Sequence, residues 1–237
     1  MKDNSNDWSK NVESWIKLVD EGLDPFRKYV LDPFLNQLIA ANFKGLCLDI
    51  GCGEGTTSRL LQRNGCDVVA VDYELGFLRA AVSRSKDITY IQADAMHLPF
   101  RESIFDRVIC KLASMSLADY DSFVKEIRRV LRPNARFLEV VTHPCFVTFR
   151  GDNNSPADYL STAAKKTRWY CEGELLLNPV TNFHRPLQDY VSSFQRHGLR
   201  IVGLYEPSVP DEFLRMSQWK DAGFAGPPFL IFALTRA

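Results

Sequence analysis

The sequence predicts an α/β protein built on a doubly wound, mostly parallel sheet. Short runs almost continuous in apolar residues recur at 45–50, 67–72, 88–92, 105–110 and 136–142. Helical patterns with one apolar face separate several of them, at 56–64, 75–85 and 119–131. Strands without polar alternation are buried on both faces, which a parallel sheet between two layers of helices provides. The turn Gly51-Cys52-Gly53-Glu54-Gly55 joins the first run to the first of these helices, a strand–turn–helix unit in that order.

Residues 1–44 read as a helical arm. Trp8, Val12, Trp15, Ile16 and Val19 recur at steps of three and four, as one helix face requires. Pro25 and Pro33 each follow an Asp, which suits helices with proline in the first position. Phe34, Leu35, Leu38 and Ile39 form the next stripe. Gly65 caps helix 56–64, and Arg132-Pro133-Asn134 stops helix 119–131. Strand 136–142 ends at His143-Pro144. The alternation lapses over 145–184, read as an insertion with a short helix at 157–166 and strand character from Trp169 to Leu177. A helix over Arg185–His197, capped by Gly198, precedes strands at 199–205 and 229–235 that pair as a hairpin. The whole chain, 1–237, reads as one domain with an N-terminal arm (1–44) and a substrate-side insertion (145–184).

Formal net charge is zero, against the basic excess of a protein that lives on nucleic-acid phosphates. Lys125, Arg128, Arg129, Arg132 and Arg136 interleave with apolar residues at helical spacing and read as a solvated face. Six cysteines include no C-x-x-C pair, so they read as small core residues in a reducing, cytoplasmic setting, with no metal site. The polar segment Met1–Lys10 is no signal peptide, and no apolar run is long enough to span a membrane.

Four features fall at strand ends, where open α/β sheets bind ligands. Asp49 precedes the turn, whose glycines at 51, 53 and 55 permit positive φ and close approach of a ligand. The exposed N–H groups of the following helix face that ligand. Asp72 ends the second strand, nineteen positions after Gly53, the spacing that sets a carboxylate beside a ribose. Tyr73 can then lie against a base. After the third strand, Asp94 can accept from an exocyclic amine and the Ala95 N–H can donate to a ring nitrogen. After the fourth, Lys111 stands where cofactor and substrate would meet. The set implies a nucleoside-containing cofactor.

The segments Leu-Asp-Ile-Gly-Cys-Gly-Glu-Gly, Val-Asp-Tyr-Glu, Ala-Asp-Ala-Met-His-Leu-Pro-Phe, Phe-Asp-Arg-Val-Ile and Leu-Arg-Pro-Asn-Ala-Arg-Phe resemble the class I S-adenosylmethionine-dependent methyltransferases. The likeness is closest to their ubiquinone/menaquinone-biosynthesis-type branch, close over 45–144 and loose at both ends. It implies a seven-stranded, Rossmann-like sheet with an antiparallel last strand, and S-adenosyl-L-methionine as cofactor. It also implies Gly51 and Gly53 under the methionyl part, with Cys52 between them in the cofactor-binding turn, Asp72 on the ribose hydroxyls and Asp94 on the adenine amine. Lys111 sits where that family varies. A nicotinamide dehydrogenase fits less well: its turn is usually G-x-G-x-x-G, and here the third glycine comes one step early.

Methyl transfer from a sulfonium needs alignment and exclusion of water, and a base only where the acceptor sheds a proton. His184, in Asn182-Phe183-His184-Arg185-Pro186, and His143, at a strand end, are the candidate bases. A similar His-Arg-Pro segment occurs in members of this branch that act on small molecules. Arg27 in the arm is the candidate for the cofactor carboxylate. Trp15, Trp169, Tyr170 and Phe183 are candidates to wall an apolar acceptor pocket. The expected enzyme is a monomer or homodimer acting on a small-molecule acceptor at O, N or C. An RNA or protein acceptor is the alternative; against a base amine, Lys111-Leu112-Ala113-Ser114 lacks the prolines of base-amine methyltransferases. A cofactor-binding module without turnover is the alternative from another class.

Overall fold

A computed structural model of the chain describes residues 5–146, 159–168, 170–171, 174–215 and 226–236. The arm comprises α1 (Ser5–Ser9), α2 (Val12–Asp20), a π-helical turn (Arg27–Leu31) and α3 (Asp32–Asn42). Alternation then begins with β1 (Leu46–Ile50), α4 (Thr56–Arg63), β2 (Asp67–Asp72), α5 (Leu75–Arg84), β3 (Thr89–Gln92), β4 (Phe105–Lys111), α6 (Tyr120–Val130) and β5 (Leu131–Thr142). Short strands follow, β6 (Ala163–Thr167), β7 (Tyr170–Cys171), β8 (Glu174–Leu175) and β9 (Val180–His184). The chain ends in α7 (Leu187–Arg196), β10 (Leu199–Tyr205), α8 (Asp211–Leu214) and β11 (Phe229–Arg236).

Seven strands form the main sheet in the order β10-β11-β5-β4-β1-β2-β3. All pair in parallel except β11, which runs antiparallel to both neighbours. This is the Rossmann-like methyltransferase sheet. Strand order reverses between β1 and β4, the switch point where such sheets open a cleft beyond the strands' carboxyl ends. The near-continuous apolar runs are explained by burial on two faces. In β4, Val108 and Cys110 pack with Phe123, Phe137 and Phe232 on one side, and Ile109 packs with Leu35, Ile39 and Ile231 on the other.

Two local expectations are corrected. Strand β5 begins at Leu131, not 136, because a bulge with Asn134 in the left-handed region (φ 61°) absorbs the segment that ends α6. Residues 163–166 are strand, not helix: β6 pairs antiparallel with β9, and its burial alternates with period two. The remainder of the expected helix at 157–166 includes positions outside the described residues, as does Trp169. The arm docks on the β6–β9 pair. Asp7 accepts from the Thr181 N–H at 3.0 Å and its hydroxyl at 2.7 Å, and pairs with Lys166 at 2.7 Å. Buried Asn11 exchanges two hydrogen bonds with the Asn178 backbone at 2.8 and 3.1 Å. Among the described residues no helix is long and apolar enough to cross a membrane.

Candidate active site

A cavity of about 570 Å³ opens beyond the carboxyl ends of β1 to β4. Its floor is the glycine turn. The N–H groups of Gly51 and Cys52 donate to the Val71 carbonyl at 2.9 and 3.0 Å and pin the turn to β2. Gly51 has φ 66°, and a Cβ there would stand 2.2 Å from that of Ala113, so only glycine fits between β1 and the loop after β4. Gly53 donates its N–H to Asp72 Oδ2 at 2.8 Å, and Glu74 donates its own to Oδ1 at 2.9 Å. These bonds aim the Asp72 carboxylate at the cavity. Burial pushes its pKa up to about 6, although both bonds pull the other way. Asp94 accepts from the Met96 N–H at 2.8 Å and lies 3.1 Å from His97 Nδ1. Tyr73, Asp94, Ala95 and Lys111 all line the cavity.

The arm closes the other side. Trp8 and Trp15 meet edge to face at 5.4 Å, and Trp8 meets Phe77 at 6.2 Å. Trp15 Nε1 donates to Glu54 at 3.3 Å, and the Arg27 guanidinium lies over the Trp15 ring at 4.9 Å. Arg27 Nε and Nη1 are buried and have no hydrogen-bond partner among the described residues. Lys111 reaches Asp32 at 2.5 Å, and burial, with the Arg27 charge, holds its pKa below the usual lysine range. Sequence reasoning passed over Glu54 and gave Trp8 only a packing role. Glu54 sits between two glycines of the turn, and that position is its signal in the sequence.

Asp49 and Gly55 stand outside the cavity lining and shape the turn from below. The Ser58 hydroxyl donates to Asp49 at 2.5 Å, and burial lifts the Asp49 pKa to about 7. Gly55 is the N-cap of α4. The two histidines are not brought to the cavity either. His143 is buried; its Nδ1 accepts from the Cys145 N–H at 3.2 Å, so Nε2 carries the proton toward Glu206 at 2.8 Å. That ring therefore does not activate the Cys145 thiol, which donates to Tyr159 Oη at 3.5 Å. His184 closes β9 and donates from Nε2 to the Tyr159 carbonyl at 2.8 Å, and burial lowers its pKa. Phe183 packs under Arg185 at 5.5 Å and does not line the cavity, whereas Trp15 does. The Trp169 and Tyr170 side chains lie outside the described residues. Among the described residues no cluster of His, Cys, Asp and Glu is suited to a metal ion.

Residues 48–138, from β1 through most of β5, match the family model of a methyltransferase domain. Over these residues the chain carries a methyltransferase domain. Over 104 residues it is 35% identical to the demethylmenaquinone methyltransferase of Renibacterium salmoninarum, covering 44% of each chain. Over 102 residues it is 35% identical to the malonyl-[acyl-carrier protein] O-methyltransferase of Enterobacter lignolyticus, covering 43% of this chain and 40% of that one. The chain thus aligns with less than half the length of these curated relatives. The chain shares its fold with an S-adenosylmethionine-dependent methyltransferase from Mesorhizobium loti (TM-score 0.70, 22% identity, 85% of this chain and 96% of that one). A TehB-like methyltransferase from Corynebacterium glutamicum superposes with TM-score 0.58 at 19% identity, over 97% and 98% of the two chains.

Proposed function

We propose that the protein transfers the methyl group of S-adenosylmethionine to a small-molecule acceptor. One observation carries the reading: two acidic side chains, Asp72 and Asp94, face one cavity across the glycine turn. The buried, unpartnered nitrogens of Arg27 fit the same group, because they await an anion at the end of the cavity floored by Gly53 and Glu54. In this reading Asp72 holds the ribose hydroxyls, Asp94 the adenine amine and Arg27 the carboxylate. The bound cofactor supplies a methyl group on positively charged sulfur, already activated for displacement. Trp8, Trp15 and Phe77 roof the cavity and exclude water. The zero net charge and the quinone precursor named for a relative favour a small molecule over a nucleic acid.

Titration calorimetry with S-adenosylmethionine tests the reading. No heat of binding at about 1 mM ligand, a free energy weaker than about 4 kcal/mol, would sink it. Arg27→Met is expected to weaken binding on the order of tenfold, about 1.4 kcal/mol, by removing charge-assisted hydrogen bonds. An unchanged affinity would place the carboxylate elsewhere. A second reading, a binding module without turnover, is favoured by the absence of His143 and His184 from the cavity lining. Release of S-adenosylhomocysteine on addition of small-molecule extracts and a radiolabelled methyl donor separates the two.

A further inference from the structure

Beneath one wall of the cavity lies a buried polar cluster that the cofactor contacts do not use. Glu139 stands in the C-terminal half of β5 with no exposed surface. Its Oε1 accepts from the Ser114 hydroxyl at 2.6 Å and its Oε2 from the Tyr120 hydroxyl at 2.5 Å. Arg185, also buried, lies 4.8 Å over the Tyr120 ring. Its Nη2 donates to the Leu117 carbonyl and, at 3.4 Å, to that of Ala118. Ser114, Ser116, Leu117 and Ala118 line the cavity. The segment therefore has an acid beneath its start and a guanidinium beneath its end. It leaves β4 through Leu112, a non-glycine residue at φ 58°, and a single 3₁₀ turn at Ser114–Ser116 is its only regular structure. An ionisable group in an apolar core is a poor way to gain stability, and a leucine of similar volume would fill the space. What the carboxyl group adds is direction.

We infer that Glu139 and Arg185 are positioning residues that fix the 114–118 segment as the acceptor-facing wall of the cavity. The inference rests on the methyl-transfer reading only for the word acceptor. The cofactor contacts assigned above come from the arm, the turn after β1 and the ends of β2 and β3, which leaves the loop after β4 to the other reactant. A neutral Glu139 can accept from one hydroxyl and donate to the other, whereas an ionised one accepts from both. Its protonation state is thus written into the Ser114 and Tyr120 hydrogen bonds. Among the described residues the titratable groups that face it are Cys110 on β4, Tyr120 on α6, Tyr190 on α7 and Arg185, with apolar Phe232 opposite on β11. Arg185 is the cation among them. Trp8 reports on the wall, because its indole N–H donates to the Ser116 hydroxyl at 3.1 Å.

The test follows the Trp8 indole N–H by NMR in protein labelled with ¹⁵N-tryptophan, assigned with Trp8→Phe. In the unsubstituted protein the resonance is expected to move with a midpoint near pH 7, where burial places the Glu139 carboxyl. In Glu139→Gln the part of that movement with its midpoint near pH 7 disappears, while any response to Asp72, which lines the same cavity and titrates near 6, is common to both proteins. Arg185→Met shifts the resonance at every pH, and Arg185→Lys restores it in part, since an ammonium keeps the charge but not the fork. Both Glu139→Gln and Arg185→Met leave S-adenosylhomocysteine affinity within about twofold, inside the range that small free-energy changes allow. A Trp8 resonance that ignores pH and is the same in all variants overturns the inference, as does equal damage to S-adenosylhomocysteine binding. Failure of S-adenosylhomocysteine to bind the unsubstituted protein strikes the cofactor reading instead and leaves the Trp8 result to decide the positioning role.

Discussion

Replacing Asp72 by Ala is expected to weaken S-adenosylmethionine binding by about 2–3 kcal/mol, roughly thirty- to over a hundredfold. Two losses combine. The ribose hydroxyls lose a charged acceptor, and the Gly53 and Glu74 N–H groups lose the carboxylate that orders the turn. Asp72→Asn should recover little. Its amide can accept at one position only and sets an NH₂ against one of those two N–H donors. The pH dependence is set by the same group. Burial raises the Asp72 pKa to about 6, so the carboxylate is ionised above that pH and neutral below it. Affinity should therefore fall as pH drops, by about tenfold per unit below 6. Calorimetry between pH 5 and 8 measures it. A flat profile, or full affinity in the Ala variant, would show that another residue holds the ribose.

The elements that were legible in the sequence are those fixed by neighbours in the chain. Strand β2 and its terminal acid, the glycine turn, and helices α4 and α5 each announce themselves within a dozen residues. What the sequence conceals is set by direction and by distant pairing. Asp49 and Asp72 are both acids near strand ends, yet Asp49 turns beneath the turn to Ser58 while Asp72 faces the cavity. The same letters give no sign of which way each points. His184 looked free for chemistry because the pairing of β9 with β6, across the chain of the insertion, has no local trace. Its ring is committed to Tyr159 by that pairing. Glu139 did leave a trace, one acid inside Phe137-Leu138-Glu139-Val140-Val141, but its partners come from a loop and a helix elsewhere in the chain.

Glu139 should also shape stability against pH, with a sign opposite to that of an ordinary surface carboxylate. Its folded pKa is raised from the ordinary value of 4.5 to about 7 by complete burial. The folded state therefore holds this proton more tightly than the unfolded chain does. The stability this gives is fully present below the unfolded pKa and is lost as pH rises through the folded one. Between pH 5 and 8 the group's contribution falls by about 2–3 kcal/mol, a large share of the stability of a domain of this kind. Glu139→Gln keeps the shape and one acceptor but has no proton to release. Urea unfolding of the two proteins at pH 5 and pH 8 isolates the effect, because every other titrating group is common to both. The Gln variant should gain about 2–3 kcal/mol relative to the unsubstituted protein over that interval. If the difference between them is the same at both pH values, Glu139 is ionised throughout, and the Ser114 and Tyr120 hydroxyls, with the Arg185 charge nearby, outweigh the cost of burying its charge.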